Sequence, residues 1–131
     1  MAKAKVFTVE VDNVPGKLGE VAQALADQKV NIQAFLAWGM AGPSPVQVVV
    51  DSPARAKKAF RKLGLTAKEE DVLVVTLPDR PGALASLGRK LGEAGVNINW
   101  AYGTCATGAK KQNLLLSVSD MNRAARLVAR V

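Results

Sequence analysis

Histidine is absent from this 131-residue chain, cysteine occurs once, at Cys105, and aromatic residues make up 5%. Without histidine no Ser-His-Asp or Cys-His triad can be built, and a zinc site of cysteine and histidine ligands cannot be assembled within one chain. A single cysteine excludes an intrachain disulfide, and with it the small disulfide-stapled secreted fold. Long apolar runs are missing too. Stretches such as residues 48–50 and 72–75 fall far short of the roughly 20 residues that span a bilayer. The basic start, Lys3 and Lys5, leads into alternating residues rather than the apolar core of a secretory signal. The expectation is a cytoplasmic protein with no membrane segment and no cofactor.

What is present suits a globular domain: 49% hydrophobic and 22% charged residues, with 18 Lys and Arg against 11 Asp and Glu for a net charge of +7. The chain also repeats itself. Asn13-Val14-Pro15-Gly16-Lys17-Leu18 returns 66 positions later as Asp79-Arg80-Pro81-Gly82-Ala83-Leu84. At the same offset Val30-Asn31-Ile32 meets Val96-Asn97-Ile98, and at an offset of 68 Val46, Val48 and Val50 meet Leu114, Leu116 and Val118. A self-similarity of this kind sets the fold before any single element does.

Periodicity supplies the elements of each half. Phe7, Val9 and Val11 alternate with Thr8 and Glu10, the pattern of a strand with one wet face. Leu18, Val21, Ala22 and Leu25 then follow helical spacing, as do Ala56, Ala59, Phe60 and Leu63. Residues 31–38 and 46–50 read as strands, with a short fourth strand at residues 65–68. The second half carries helical stripes at Leu84, Leu87, Gly88, Leu91 and at Ala124, Leu127, Val128, Val131. Both helices of a half must bury their stripes on one face of an antiparallel sheet, so the expected fold class is α+β, two ferredoxin-like repeats over residues 1–69 and 70–131. The second repeat ends on its last helix. Its fourth strand is either missing or supplied by residues 65–77 serving both halves. A half of about 65 residues is marginal alone, so the two sheets are expected to join side by side.

The Pro-Gly turn before the first helix of each half is where binding chemistry concentrates. A helix start carries unpaired N–H groups and the positive end of the dipole, and so holds carboxylates and phosphates. Pro15 and Pro81 sacrifice no needed donor there, and Gly16 and Gly82 admit a close approach of backbone to ligand. Asn13 offers a donor and an acceptor to a zwitterion, whereas Asp79 only accepts. Asn31 and Asn97 enter the second strands. A helix cap or a strand-entry turn accounts for each of these residues equally well when taken singly.

These segments, Asp12 to Leu18 with Val30 to Ile32 and Pro78 to Leu84 with Val96 to Ile98, resemble ACT domains, in two copies that cover nearly the whole chain. The resemblance implies βαββαβ regulatory modules that bind amino acids or similar small molecules where neighbouring copies pair side by side. It implies ligand contacts at Asn13, Gly16, Lys17 and Leu18 in one copy and at Asp79, Gly82, Ala83 and Leu84 in the other. Asn31 with Ile32, and Asn97 with Ile98, would add contacts across the pair. Asp79 departs from the asparagine that an amino-acid-binding pattern often has; an anion there disfavours a carboxylate and favours an ammonium group, so the site built on Asn13 and Asn97 is expected to be the better one.

The remaining signals carry less. Trp38 and Trp100 have no counterparts in the other half; either could cap a ligand pocket, but an amphipathic ring on a strand reads first as packing or a subunit contact. Cys105, in a small-residue turn with no histidine beside it, reads as an inert thiol. Lys57, Lys58, Arg61 and Lys62, and Arg123, Arg126 and Arg130, lie on outward helix faces, as solvated cations do. A sheet that binds RNA would need aromatic residues on its central strands, and they are not there. The expected function is a non-catalytic sensor of an amino acid, a homodimer that signals to a partner enzyme. The alternative is a basic module that binds nucleic acid or another protein. The homodimer follows from outward apolar residues on residues 72–77 and 114–116 that require cover.

Overall fold

The computed structural model describes residues 2–104 and 107–128; Cys105, Arg130 and Val131, named above, lie outside the described residues. Two compact units divide the chain, one of Lys5–Glu70 and one of Asp71–Val131 with the first residues up to Ala4. The first carries β1 (Ala2–Asp12), α1 (Lys17–Asp27), β2 (Ile32–Ala37), β3 (Pro43–Val50) and α2 (Pro53–Lys62). The second carries β4 (Lys68–Pro78), α3 (Ala83–Glu93), β5 (Ile98–Thr104), β6 (Lys111–Val118) and α4 (Met121–Val128).

In the first unit the strand order is β2-β3-β1, antiparallel throughout, with Phe7 opposite Val48 and Val9 opposite Val46. Alternation then decides which residues meet the helices. Phe7, Val9, Val46, Val48 and Val50 join Val21 and Leu25 of α1 and Ala56, Ala59 and Phe60 of α2 in one core. The Phe7 and Phe60 rings pack tilted at 54°, with centroids 5.8 Å apart. The second unit repeats the plan in the order β5-β6-β4, with Leu73, Val75 and Leu77 packed with Leu114, Leu116 and Val118 under Leu87, Leu91, Ala124 and Val128. Two α+β repeats of ferredoxin type result, as the periodicity implies. Each fully buried leucine or phenylalanine contributes about 1.5–3 kcal/mol.

Several boundaries differ from the sequence reading. The short strand expected at residues 65–68 does not form: the Leu65 N–H is taken by the Phe60 carbonyl at the end of α2, and of those residues only Lys68 is strand, the first residue of β4, which runs unbroken to Pro78. Its first residues, up to Glu70, belong to the first unit, where Glu69 pairs with Lys57 of α2 at 3.2 Å. The second unit correspondingly takes in the start of β1, up to Ala4. β3 starts at Pro43 rather than Val46 because Pro45 is used through its carbonyl, which accepts the Trp38 N–H at 3.4 Å and needs no donor of its own.

The sheet faces turned away from the helices are buried as well. Val6, Gln47 and Val49 in one unit, and Val72, Leu115 and Ser117 in the other, are buried in the single chain. Trp100 stacks on Tyr102 with centroids 5.5 Å apart, a packing role as read from the sequence. Burial pushes the Tyr102 phenol above its ordinary pKa, and its hydroxyl is buried with no hydrogen-bond partner among the described residues.

Both β-to-α turns rest on a glycine in the left-handed region, Gly16 at φ 90° and Gly82 at φ 91°. A Cβ at either position would meet nothing within 4 Å, so the dihedral and not crowding demands glycine. Gly88, inside α3, has open space and no positive φ. Gly16→Ala and Gly82→Ala are each expected to cost about 1–2 kcal/mol, while Gly88→Ala gains about 0.5–1 kcal/mol. Urea unfolding of the three variants measures all of it.

Candidate functional site

The end of β1 folds back on itself before α1 begins. The Val14 N–H donates to the Asp12 carbonyl at 2.9 Å, and Gly16 then turns the chain into the helix, where the Glu20 N–H donates to the Gly16 carbonyl at 2.9 Å. No side chain caps α1. The Lys17 N–H makes a long bond of 3.4 Å to the Val14 carbonyl, while the N–H groups of Leu18 and Gly19 have no side-chain cap and stand at the positive end of the helix dipole. The second repeat copies this turn. The Arg80 N–H donates to the Pro78 carbonyl at 3.0 Å, the Ser86 N–H to the Gly82 carbonyl at 2.9 Å, and α3 has no side-chain cap. Asn13 therefore does not act as the cap of α1.

In the first unit the turn forms one wall of a cleft of 250 Å³. Asn13, Gly16, Lys17 and Leu18 line that wall, and Trp38, Gly39, Ser44 and Pro45 line the other. The Asn13 side chain reaches toward the opposite loop so closely that a Cβ on Gly39 would sit 2.7 Å from its Nδ2. No hydrogen bond occupies the Asn13 amide among the described residues, so its donor and acceptor are both available. The opposite loop is held by Ser44, buried, whose Oγ accepts the Met40 N–H at 2.8 Å. Lys17 Nζ lies 3.3 Å from Glu20 Oε2, an exposed pair of modest strength that leaves its charge at the rim.

Leu18 heads the apolar stripe of α1, yet it is 45% exposed, and Leu84 at the same place in α3 is 56% exposed. The stripe starts one turn before the core does. Leu18 and Val46 also line a second, wholly apolar groove of 170 Å³ with Ala22, Ile32, Phe35 and Val48. Ile32 therefore sits beside the cleft residues. Asn31 does not line either space; its N–H donates to Asp51 Oδ1 at 2.9 Å, and its carbonyl accepts the Asp51 N–H at 3.2 Å. Asn97 is held likewise, by Ser119 Oγ at 2.9 Å, and its Nδ2 donates to Asn99 Oδ1 at 3.1 Å. The strand-entry role of both asparagines is visible in these bonds. In the second unit Asp79, Gly82, Ala83 and Leu84 form the matching turn, with Ala83 buried and the Asp79 N–H bonded to the Lys110 carbonyl at 2.9 Å. Ile98 packs against the core of that unit.

Sequence reasoning ranked packing ahead of a pocket-capping role for Trp38, which lines the cleft, and missed Gly39 and Ser44. Trp38 is 43% exposed, which core packing does not explain. Its lack of a counterpart in the second half was the signal. Among the described residues no group of three or more acidic, cysteine or histidine side chains could hold a metal ion, and no helix is long and apolar enough to cross a membrane.

Residues 6–129 match the family model described as an ACT domain pair. The chain belongs to that family. Among solved structures, protein BT0572 from Bacteroides thetaiotaomicron shares the fold, with 26% identity and a TM-score of 0.89, covering 98% of this chain and 88% of that one. The regulatory subunit of aspartate kinase from Thermus thermophilus, in its ligand-free form, shares the fold at 18% identity and a TM-score of 0.69, over 98% of this chain and 91% of that one. The corresponding subunit from Thermus flavus gives 18% and 0.70 over the same shares. No curated protein matches this ACT pair.

The hydrogen bonds separate stability from binding at these positions. Asp51→Ala and Ser119→Ala, which each remove an acceptor from a strand-entry N–H, are expected to cost about 0.5–1.5 kcal/mol. Asn13→Ala is expected to stay within about 0.5 kcal/mol of the parent. Thermal and denaturant unfolding of the three variants checks the contrast.

Proposed function

We propose that this ACT pair is a non-catalytic regulatory module that binds an amino acid at the Pro-Gly turn of its first repeat. The observation that carries the reading is the cleft in which an unengaged Asn13 amide stands beside the uncapped first turn of α1. A carboxylate fits the free N–H groups and the dipole of α1, and an ammonium fits the Asn13 carbonyl oxygen. Regulatory subunits of aspartate kinase share the fold, which supports occupancy being signalled through a homodimer or to a partner enzyme. The turn of Asp79, Gly82, Ala83 and Leu84 is the weaker site in this reading, since Asp79 brings a negative charge where a carboxylate would lie. Asn31, Asn97 and Ile98 enter only by shaping the strands near these turns.

Binding would raise the melting temperature in proportion to the logarithm of ligand concentration above Kd, so a thermal-shift screen of the twenty amino acids is the direct test. In titration calorimetry with the amino acid that stabilises most, Asn13→Ala is expected to weaken binding by about tenfold, the effect of one lost hydrogen bond to a charged group. Asp79→Ala is expected to weaken it much less. Equal losses would remove the ranking of the two turns.

A second reading draws on a groove of 490 Å³ in the second unit, lined by Lys90, Arg123, Arg126 and Leu127. Guanidinium pairs of this kind take phosphate well. Retention on nucleic acid that falls steeply with salt, and falls again in Arg123→Ala/Arg126→Ala, is the outcome expected of it.

A further inference from the structure

The proposed amino-acid site has a neighbour that its polar chemistry does not use. Leu18 and Val46 line both the Asn13 cleft and the apolar groove of 170 Å³ bounded by Ala22, Ile32, Phe35 and Val48. Every side chain of that groove is hydrocarbon. Phe35 at its rim is 57% exposed and Leu18 45%, so two large apolar groups are left in water side by side at one spot. The size is informative as well. Drug-sized pockets run to roughly 300–1,000 Å³, whereas an apolar cavity of about 150 Å³ accommodates a benzene-sized guest. The groove matches one side chain.

We infer that the ligand of the first repeat is an amino acid with an apolar side chain of leucine size, its zwitterionic head in the Asn13 cleft and its side chain in the adjoining groove. The inference rests on the proposed function, because it is the head group at the turn that brings a side chain to Leu18. The second repeat lacks the same groove chemistry at the level of sequence. The position of Phe35 is taken there by Ala101, and that of Trp38 by Thr104, so the side-chain preference belongs to the first repeat alone.

The experiment is titration calorimetry on the full chain with glycine, alanine, serine, aspartate, lysine, valine, leucine and isoleucine. Isoamylamine, which is leucine without its carboxylate, serves as a further probe. Burial of a methylene is worth about fourfold in affinity. Leucine is therefore expected to bind at least about tenfold more tightly than alanine, and isoamylamine at least about tenfold more weakly than leucine. Ala22→Leu, which fills the groove from a helix position that tolerates leucine, is expected to bring leucine down to the affinity of alanine without changing alanine. Phe35→Ser, at an exposed position, gives the same contrast by removing one wall, and it serves if Ala22→Leu does not fold.

Equal affinities for leucine, serine and lysine would overturn the inference while leaving the proposed function standing. So would isoamylamine binding as well as leucine, which would make the groove a plain apolar patch. Phe35→Ser that converts a dimer to a monomer in light scattering with leucine affinity unchanged would also overturn it, and would give the groove to a second copy. Binding of none of the amino acids would instead remove the proposed function, and this inference with it.

Discussion

A left-handed glycine at the entrance to a helix is the constraint on which the rest of the molecule depends. At Gly16 the chain must leave β1 and begin α1 within a few residues, and φ 90° achieves this. An Asn, Asp or Ser at a helix entrance ordinarily takes a β-region conformation and bonds its side chain to the first-turn N–H groups. A glycine in the left-handed region has no side chain to do so. The geometry that lets β1 and α1 pack on one core thereby leaves the helix uncapped. It also sets the rotation at which α1 begins, and that rotation carries Leu18 out to the cleft while Val21 and Leu25 remain inside.

Duplication has kept this device and varied what surrounds it. Gly82 has nearly the same dihedral as Gly16, and the turns before them make the same hydrogen bond two residues apart. The partners across from the turn have diverged. Asn13 is matched by Asp79, Phe35 by Ala101 and Trp38 by Thr104. A polar, neutral, donor-and-acceptor group with large apolar neighbours has become an anion with small ones. Backbone geometry is common to the two repeats, and side-chain chemistry distinguishes them, as expected where a fold is a scaffold for sites that change independently.

Much of this could be read in the residues themselves. The two stripes at helical spacing in each half and the alternation of Phe7, Val9 and Val11 specify four helices under antiparallel strands, because burying those residues together allows little else. The continuous β4 was half legible: an apolar run starts at Val72, and nothing in the charged stretch of residues 68–71 announces a strand. Its pairing energy comes from neighbours distant in sequence, which no local pattern records. At the site, Asn13 and Gly16 were legible from the repeat. Asn31 and Asn97 were placed with them by resemblance alone; what no local pattern records is that their backbone N–H groups are held by Asp51 and Ser119, 20 and 22 positions away. Packing and pocket-capping both stayed open for Trp38, with packing preferred, because exposure is a property of the packed chain, and an indole on a strand has the same sequence signature whether it faces a core or a cleft.

Gly39 shows how tightly the two walls of the cleft are matched. An added methyl group there would stand 2.7 Å from the Asn13 amide, inside the distance at which atoms repel. Positions 13 and 39 are thus not free to drift separately: a bulkier residue at 39 would evict asparagine from its pose, and a shorter one at 13 would lift the restriction on 39. The two letters together form a diagnostic. Any chain with this fold that pairs asparagine at the first position with glycine at the second can keep the same close approach of the two walls.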